Sequence, residues 1–194
     1  MRVKNLEERL LEQKLVNLVK NDAYRMAILT AVHSIGREEL WIAGGFVRNL
    51  VWDNMHNYVL PTELGDTDIF YFNKNNLSKV QDIEIEKKLL DILPNVNWSV
   101  KNQARMHIHN NDIPYLNLSD ALSRFPETAS AIAVRLCEGN IEVLAPTGLI
   151  DLFELKVKPT SFSIQNKKTF ENFKLRYRIK QWKEKWPLLK ISIE

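Results

Sequence analysis

The sequence predicts a mixed α/β fold with helical ends, on three observations. Apolar residues near both termini recur at helical spacing, the middle alternates short apolar runs with amphipathic stretches, and Gly, Pro and Asp punctuate the joins. Strands and helices interleaved in this way pack as helices against a sheet. At 194 residues, with 45% hydrophobic and 26% charged residues, the chain is neither disordered nor low-complexity and can bury a real core. Its charge balance, 27 Lys+Arg against 24 Asp+Glu for a net +3, is too small to argue for a nucleic-acid partner without local clustering. The lone Cys137 excludes an intramolecular disulfide and a cysteine-rich zinc site and is expected to pack. No apolar run approaches the ~18–20 residues of a membrane span, and the charged start MRVKNLEERLLEQK has no secretory apolar stretch. A soluble, cytoplasmic chain with no membrane contact is expected.

The elements follow in order. Leu11, Leu15 and Leu18 define a first helix, and Asn21 or Asp22 caps a second, with Tyr24, Ala27, Ile28 and Ala31 on one face and Gly36 as its stop. Leu40–Ala43 reads as a buried strand running into Gly44-Gly45, followed by a helix from Phe46 to Met55. A loop around Pro61 leads through Asp66-Thr67-Asp68 into a strand, Ile69–Phe72. Val80–Leu93 is a helix ended by Pro94, Asn97–His107 a strand, and Asp120–Phe125 a short helix ended by Pro126. Ala129–Leu136 and Ile141–Ala145 form a hairpin about Cys137–Asn140, and Gly148–Phe153 a helical turn. Asn166–Trp186 reads as one long amphipathic helix with Leu175, Ile179, Trp182 and Trp186 along its stripe. One domain is expected, with N-terminal helices over 1–36, a core over 37–158 and a C-terminal helix over 159–194.

Two features carry chemistry. A Gly-Gly turn between a strand and a helix lets backbone N–H groups approach an anion at a positive helix end, although a tight turn alone explains such a pair as well. Asp66 and Asp68 alternate across a strand, so they share a face ~6.6 Å apart along the backbone. Two carboxylates so placed hold Mg²⁺ while leaving positions for substrate phosphates; the plainer role is to cap a turn. Phosphate cradle and metal site within 25 residues favour the functional reading.

WIAGGFVRNLVWD followed by DTDIFYF resembles the nucleotidyltransferase superfamily, with its polymerase beta-like fold: a small mixed sheet flanked by helices. The Gly-Gly-x-Val-Arg version is similar to poly(A) polymerases and bacterial-type CCA-adding tRNA nucleotidyltransferases. WSVKNQARMH (98–107), PYLNLSDAL (114–122), FPETASAIAVRL (125–136), APTGLIDLF (145–153) and KQWKEKWP (180–187) are closer to a bacterial family of nucleotidyltransferase-like proteins. The resemblance spans roughly residues 15–187. It implies that Gly44 and Gly45 cradle a nucleoside triphosphate, that Asp66 and Asp68 ligate Mg²⁺ (or Mn²⁺), and that Arg48 supports the turn or a phosphate. A third acid would activate the attacking hydroxyl. Glu142 is the candidate, the other reading being a surface residue paired with Arg135. Asn49 departs from the polymerase-like pattern, which has Asp after the Arg.

If 97–107 is a strand, Lys101, Gln103, Arg105 and His107 share a cationic face suited to triphosphate, with Met106 opposite. Arg124, Glu127 and Thr128 weakly echo a polymerase motif, and Asp151 is expected to pair within the fold. From Lys167 to Lys185 the tail holds eight Lys/Arg and two Glu among aromatics. RNA binding is one reading of this segment; an amphipathic helix with solvated charges is the favoured one. The expected reaction is transfer of a nucleoside monophosphate from a triphosphate to a hydroxyl on a protein, small molecule or RNA, with release of pyrophosphate. The alternative is an inactive nucleotide-binding or protein-interaction module.

Overall fold

A computed structural model describes residues 5–192; the part of the expected leaderless start at residues 1–4, and the last two residues of the expected C-terminal helix, lie outside it. Helices α1 (Leu6–Asn21) and α2 (Ala23–Ser34) come first, capped by the side chains of Asn5 and Asp22, which accept from the backbone N–H groups of Glu8 and Arg25. The face of α2 differs from the expectation. Arg25, Ile28, Leu29, Ala31 and Val32 are buried, while Tyr24 is 52% exposed, so its phenol points to water.

Strand β1 (Trp41–Ala43) turns at Gly44 into α3 (Gly45–Met55), and β2 (Thr67–Tyr71) is linked by α4 (Val80–Ile92) to β3 (Trp98–Asn102). Strands β2 and β3 are parallel, and α4 supplies the crossover such a pair requires. Strands β4 (Ala133–Cys137) and β5 (Asn140–Leu144) form the hairpin, whose turn residues Glu138 and Gly139 both have positive φ, as a tight two-residue turn demands. The five-stranded sheet runs β3-β2-β1-β4-β5, with β1 antiparallel to both its neighbours.

One sheet face carries Ile42, Ile69, Tyr71, Val100 and Val134 into the main core with Leu15, Ile28, Phe46, Val51 and Leu89. The opposite face carries Ala43, Phe70 and Ala133 and is covered in part, by Leu118 and Leu122. The uncovered remainder of this face is where a cleft forms.

The strand expected over 97–107 ends early. At Asn102 the fully buried side-chain oxygen accepts from the N–H groups of Asn73 and Ala104, and its amide donates to the carbonyls of Asn73 and Asn76. It therefore caps a helix, α5 (Gln103–Asn110), and pins the loop after β2 in one move. Helix α6 (Leu118–Ser123) is capped by Asn117 rather than by Ser119 or Asp120. A 3-10 turn (Thr128–Ser130) precedes β4, and α7 (Ile150–Phe153) follows β5.

After β6 (Lys156–Val157) come α8 (Ser161–Gln165), α9 (Lys167–Lys180), α10 (Trp182–Lys185) and β7 (Lys190–Ile191), which pairs with β6. The expected single tail helix is broken at Gln181, whose φ of 48° lets the chain turn and bury Trp182 and Trp186. Leu175 and Ile179 are correspondingly more than half exposed; Phe173 is the residue α9 buries. No helix among the described residues is long and apolar enough to cross a membrane.

Candidate functional site

The cleft has a volume of about 1040 Å³. Its floor is β2: Asp66, Asp68 and Phe70 all face it, while Thr67 and Ile69 point into the core, as a period of two requires. Asp68 pairs in register with Ala43, so the chain entering the Gly44 turn passes directly beside the carboxylate. Gly44 has φ 67° and ψ −122°, and a Cβ built there would stand 3.6 Å from Asp68 Oδ2. Gly45 needs no such conformation; it is the first residue of α3, whose N-terminus no side chain caps. The first-turn N–H groups of that helix have no intrahelical partners and lie beside Gly44 and Gly45 at the cleft wall.

Asp66 is exposed and accepts a hydrogen bond from Asn97 Nδ2. Lys101 pairs in register with Phe70 on the neighbouring parallel strand, which brings its Nζ to 3.5 Å from Asp68 Oδ1. A positive charge is therefore already accommodated beside this carboxylate.

Arg48 is 7% exposed and makes no ion pair with a described residue. Its Nη1 donates to Ser130 Oγ at 2.7 Å and its Nη2 to Asn49 Oδ1 at 3.0 Å, while Nε has no partner. The guanidinium lies over the rings of Trp52 and Trp182, 5.2 and 4.7 Å from their centroids. Burial holds its pKa down to about 10, against the opposing pull of Glu127 and Asp68.

Four site expectations need correction or qualification. Glu142 stands on edge strand β5 opposite Arg135, with Oε2 2.6 Å from Arg135 Nη2, and is not among the residues lining the cleft. It satisfies the cross-strand partner reading, and the sheet order puts it three strands from Asp68. Arg105 and His107 do not reach the cleft either. Because residues 103–110 are helical, Gln103, Met106 and Asn110 share the cleft face at i, i+3, i+7, and Arg105 is turned away. Arg105 instead pairs with buried Asp82 and donates to the carbonyls of Leu77 and Ser78. His107 Nδ1 lies 2.9 Å from the Ala104 carbonyl, with its ring edge-on to Tyr115. Met106, expected on the opposite face, lines the cleft.

The second wall was not anticipated. Lys168, Asn172, Arg176 and Lys180 of α9 line the cleft, and Lys185 and Trp186 continue the wall. Their four-residue spacing is the sequence signal for this wall. Altogether the lining holds seven Lys/Arg (Arg48, Lys101, Arg124, Lys168, Arg176, Lys180, Lys185) against Glu63, Asp66 and Asp68. Glu127, fully buried, accepts from Arg176 Nε and Nη2 at 3.1 and 2.8 Å. Burial is the largest influence on the pKa of Arg176 and lowers it, but the charge and hydrogen bonds of Glu127 together with the charge of Asp68 outweigh it, and the net shift is upward. Asp53, also unanticipated, is buried and accepts from Thr62 N, Thr62 Oγ1 and Trp186 Nε1, tying the cleft loop and the tail to α3. Arg124 is held by Asp112 and Asp120, and Asp151 pairs with Lys158.

Residues 30–191 match a family described as nucleotidyltransferase. Among solved structures, one described as an NMR structure revealing a CCA-adding enzyme head domain superposes with a TM-score of 0.81. It is 31% identical, and the match covers 93% of this chain and 95% of that one. Another, described as a tRNA-processing enzyme in an apo form, gives a TM-score of 0.48 at 17% identity, over 85% of this chain and 44% of its own. No curated protein sequence matches. The sheet and its flanking helices are those of a nucleotidyltransferase head domain, and the chain belongs to the nucleotidyltransferase family.

Proposed function

We propose that this cleft transfers a nucleoside monophosphate from a nucleoside triphosphate to a hydroxyl acceptor. The observation that carries the reading is the apposition of the Gly44 turn and Asp68 across the β1–β2 pair, with Asp66 on the same face. The α3 N-terminus and Gly44 offer N–H groups and close backbone approach to a triphosphate. Arg48, buried and without a carboxylate partner, adds charge whose desolvation an anion would offset.

Asp66 and Asp68 suit Mg²⁺ or Mn²⁺: both are hard oxygen donors, and Mg²⁺ is commonly held by one or two carboxylates plus substrate phosphates. Such an ion, when bound, neutralises charge developing on the phosphoryl oxygens. The acceptor oxygen bonds to the α-phosphorus, the bond from that phosphorus to the α–β bridging oxygen breaks, and pyrophosphate leaves. The hydroxyl proton passes to a cleft carboxylate or water.

A second reading, nucleotide binding without turnover, is favoured by the position of Glu142, which leaves Asp66, Asp68 and Glu63 as the acids of the cleft. Incubation with α-labelled triphosphates, Mg²⁺ and cell extract separates the two. Label transferred to an acceptor, and lost in Asp66→Asn and Asp68→Asn, supports the enzyme. Metal-dependent binding with no transferred label supports the module, and binding indifferent to both carboxylates removes the site.

A further inference from the structure

Lys168, Asn172, Arg176 and Lys180 recur every four residues and all face the cleft. At 1.5 Å per residue, each step rises about 6 Å, and Lys168 to Lys180 spans about 18 Å. Lys185 of α10 extends the row past the break at Gln181. The ammonium groups of Lys180 and Lys185 hold no partner among the described residues, and that of Lys168 donates only to the Asn110 carbonyl, at 3.1 Å. All three lysines are exposed.

This row is not explained by folding. Arg176 alone is spent on a buried partner, Glu127, and that pair fixes the row's position against the core. Nor is the row explained by one triphosphate, whose phosphates would lie at the Gly44 turn and occupy a small part of 18 Å. At ~3.4 Å of rise per nucleotide in a stacked strand, the same length accommodates roughly five nucleotides.

Resting on the reading of the cleft as a nucleotidyl-transfer site, we propose that the α9 wall is the track for the phosphate backbone of a single-stranded nucleic-acid acceptor. The hydroxyl at the strand's end is then the group presented to the Asp66–Asp68 floor. Charge complementarity, regular spacing and length argue for the strand. An acidic peptide would supply charge but no terminal hydroxyl, and is left to the test.

The test uses fluorescence anisotropy of a labelled twelve-nucleotide oligoribonucleotide and its deoxy counterpart, with no triphosphate or metal, across a salt series. For single strands the slope of log affinity against log salt is about −0.7 per phosphate neutralised. The combined variant K168Q/K180Q/K185Q should shallow that slope by about 2, and each single change by about 0.7. A matched variant on and beside α4, K79Q/K87Q/K88Q, removes the same net charge away from the cleft and should leave the slope unchanged. Triphosphate affinity of the cleft variant, measured separately, should fall by a smaller factor than oligonucleotide affinity. Tighter binding of either oligomer supports the proposal and names the sugar.

An unchanged slope in K168Q/K180Q/K185Q overturns it. So does a loss of triphosphate affinity matching the loss of oligonucleotide affinity, or retention of labelled polyglutamate with no oligonucleotide binding. Since the strand is titrated without nucleotide, failure of the transfer reading leaves this measurement standing, and the reverse also holds.

Discussion

Arg176, two-thirds along α9, grips the fully buried carboxylate of Glu127 through Nε and Nη2, and so joins the terminal helix to the turn before β4. The contact gives one wall of the cleft a fixed place relative to its floor. Glu127→Ala should leave the Arg176 guanidinium without its carboxylate partner, and lower stability by about 3–5 kcal/mol. Chemical denaturation measures this. The double variant Glu127→Leu with Arg176→Met should recover much of the loss; a double variant as unstable as the single one would show that packing, not charge, matters there.

Asp66→Asn and Asp68→Asn should each abolish the magnesium dependence of nucleotide binding without loss of folded stability, because an amide is a poor ligand for a hard cation. Asp68→Asn relieves no buried pair, since its contact with Lys101 is long and both side chains are at least 30% exposed. Calorimetric titration with and without Mg²⁺, beside a thermal melt, reads both quantities.

Lys101 and Arg105 should now behave differently. Lys101→Ala should weaken triphosphate binding roughly tenfold, as loss of one charge-assisted contact does, with the effect fading as salt rises. Arg105→Ala should leave affinity per folded molecule unchanged and cost on the order of 3 kcal/mol of stability, because buried Asp82 would keep only the Tyr71 hydroxyl donor. A binding defect in Arg105→Ala would mean that α5 is turned about its axis.

Gly44→Ala should destabilise by about 1–3 kcal/mol, since φ 67° with ψ −122° is strained for any residue with a Cβ. Gly45→Ala should be nearly neutral for folding; its Cβ would meet Arg48 Nη2 at 3.4 Å, an ordinary contact. Equal melting temperatures for the two variants would contradict the assignment of the strained position to Gly44.

These contrasts show what was legible in the chain. The strand–Gly-Gly–helix unit and the Asp-x-Asp strand could be read because their logic is local: alternation, turn chemistry and a helix start. Asn102 was missed because three of its four hydrogen bonds reach Asn73 and Asn76, far back in the chain, and they fix the side chain whose fourth bond, from Ala104 N, starts the helix. For Glu142 two readings were open in the sequence, third acid or partner of Arg135, and the hairpin register, which sets Arg135 directly across from it, favours the partner. The α9 wall escaped because Gln181, an ordinary residue by sequence, takes a left-handed conformation and redirects the helix.

Trp52 meets Trp182 and Trp186 edge-on, with ring centroids 5.7 and 5.0 Å away, and none of the three is more than 1% exposed. Three of the chain's five indoles thus occupy one dry box, two of them on the tail and one on α3. Ultraviolet emission from such a box lies to the blue and shifts red when water enters. Departure of α10 from the body would therefore change colour without any added dye. The protein carries its own optical gauge of whether the tail is seated.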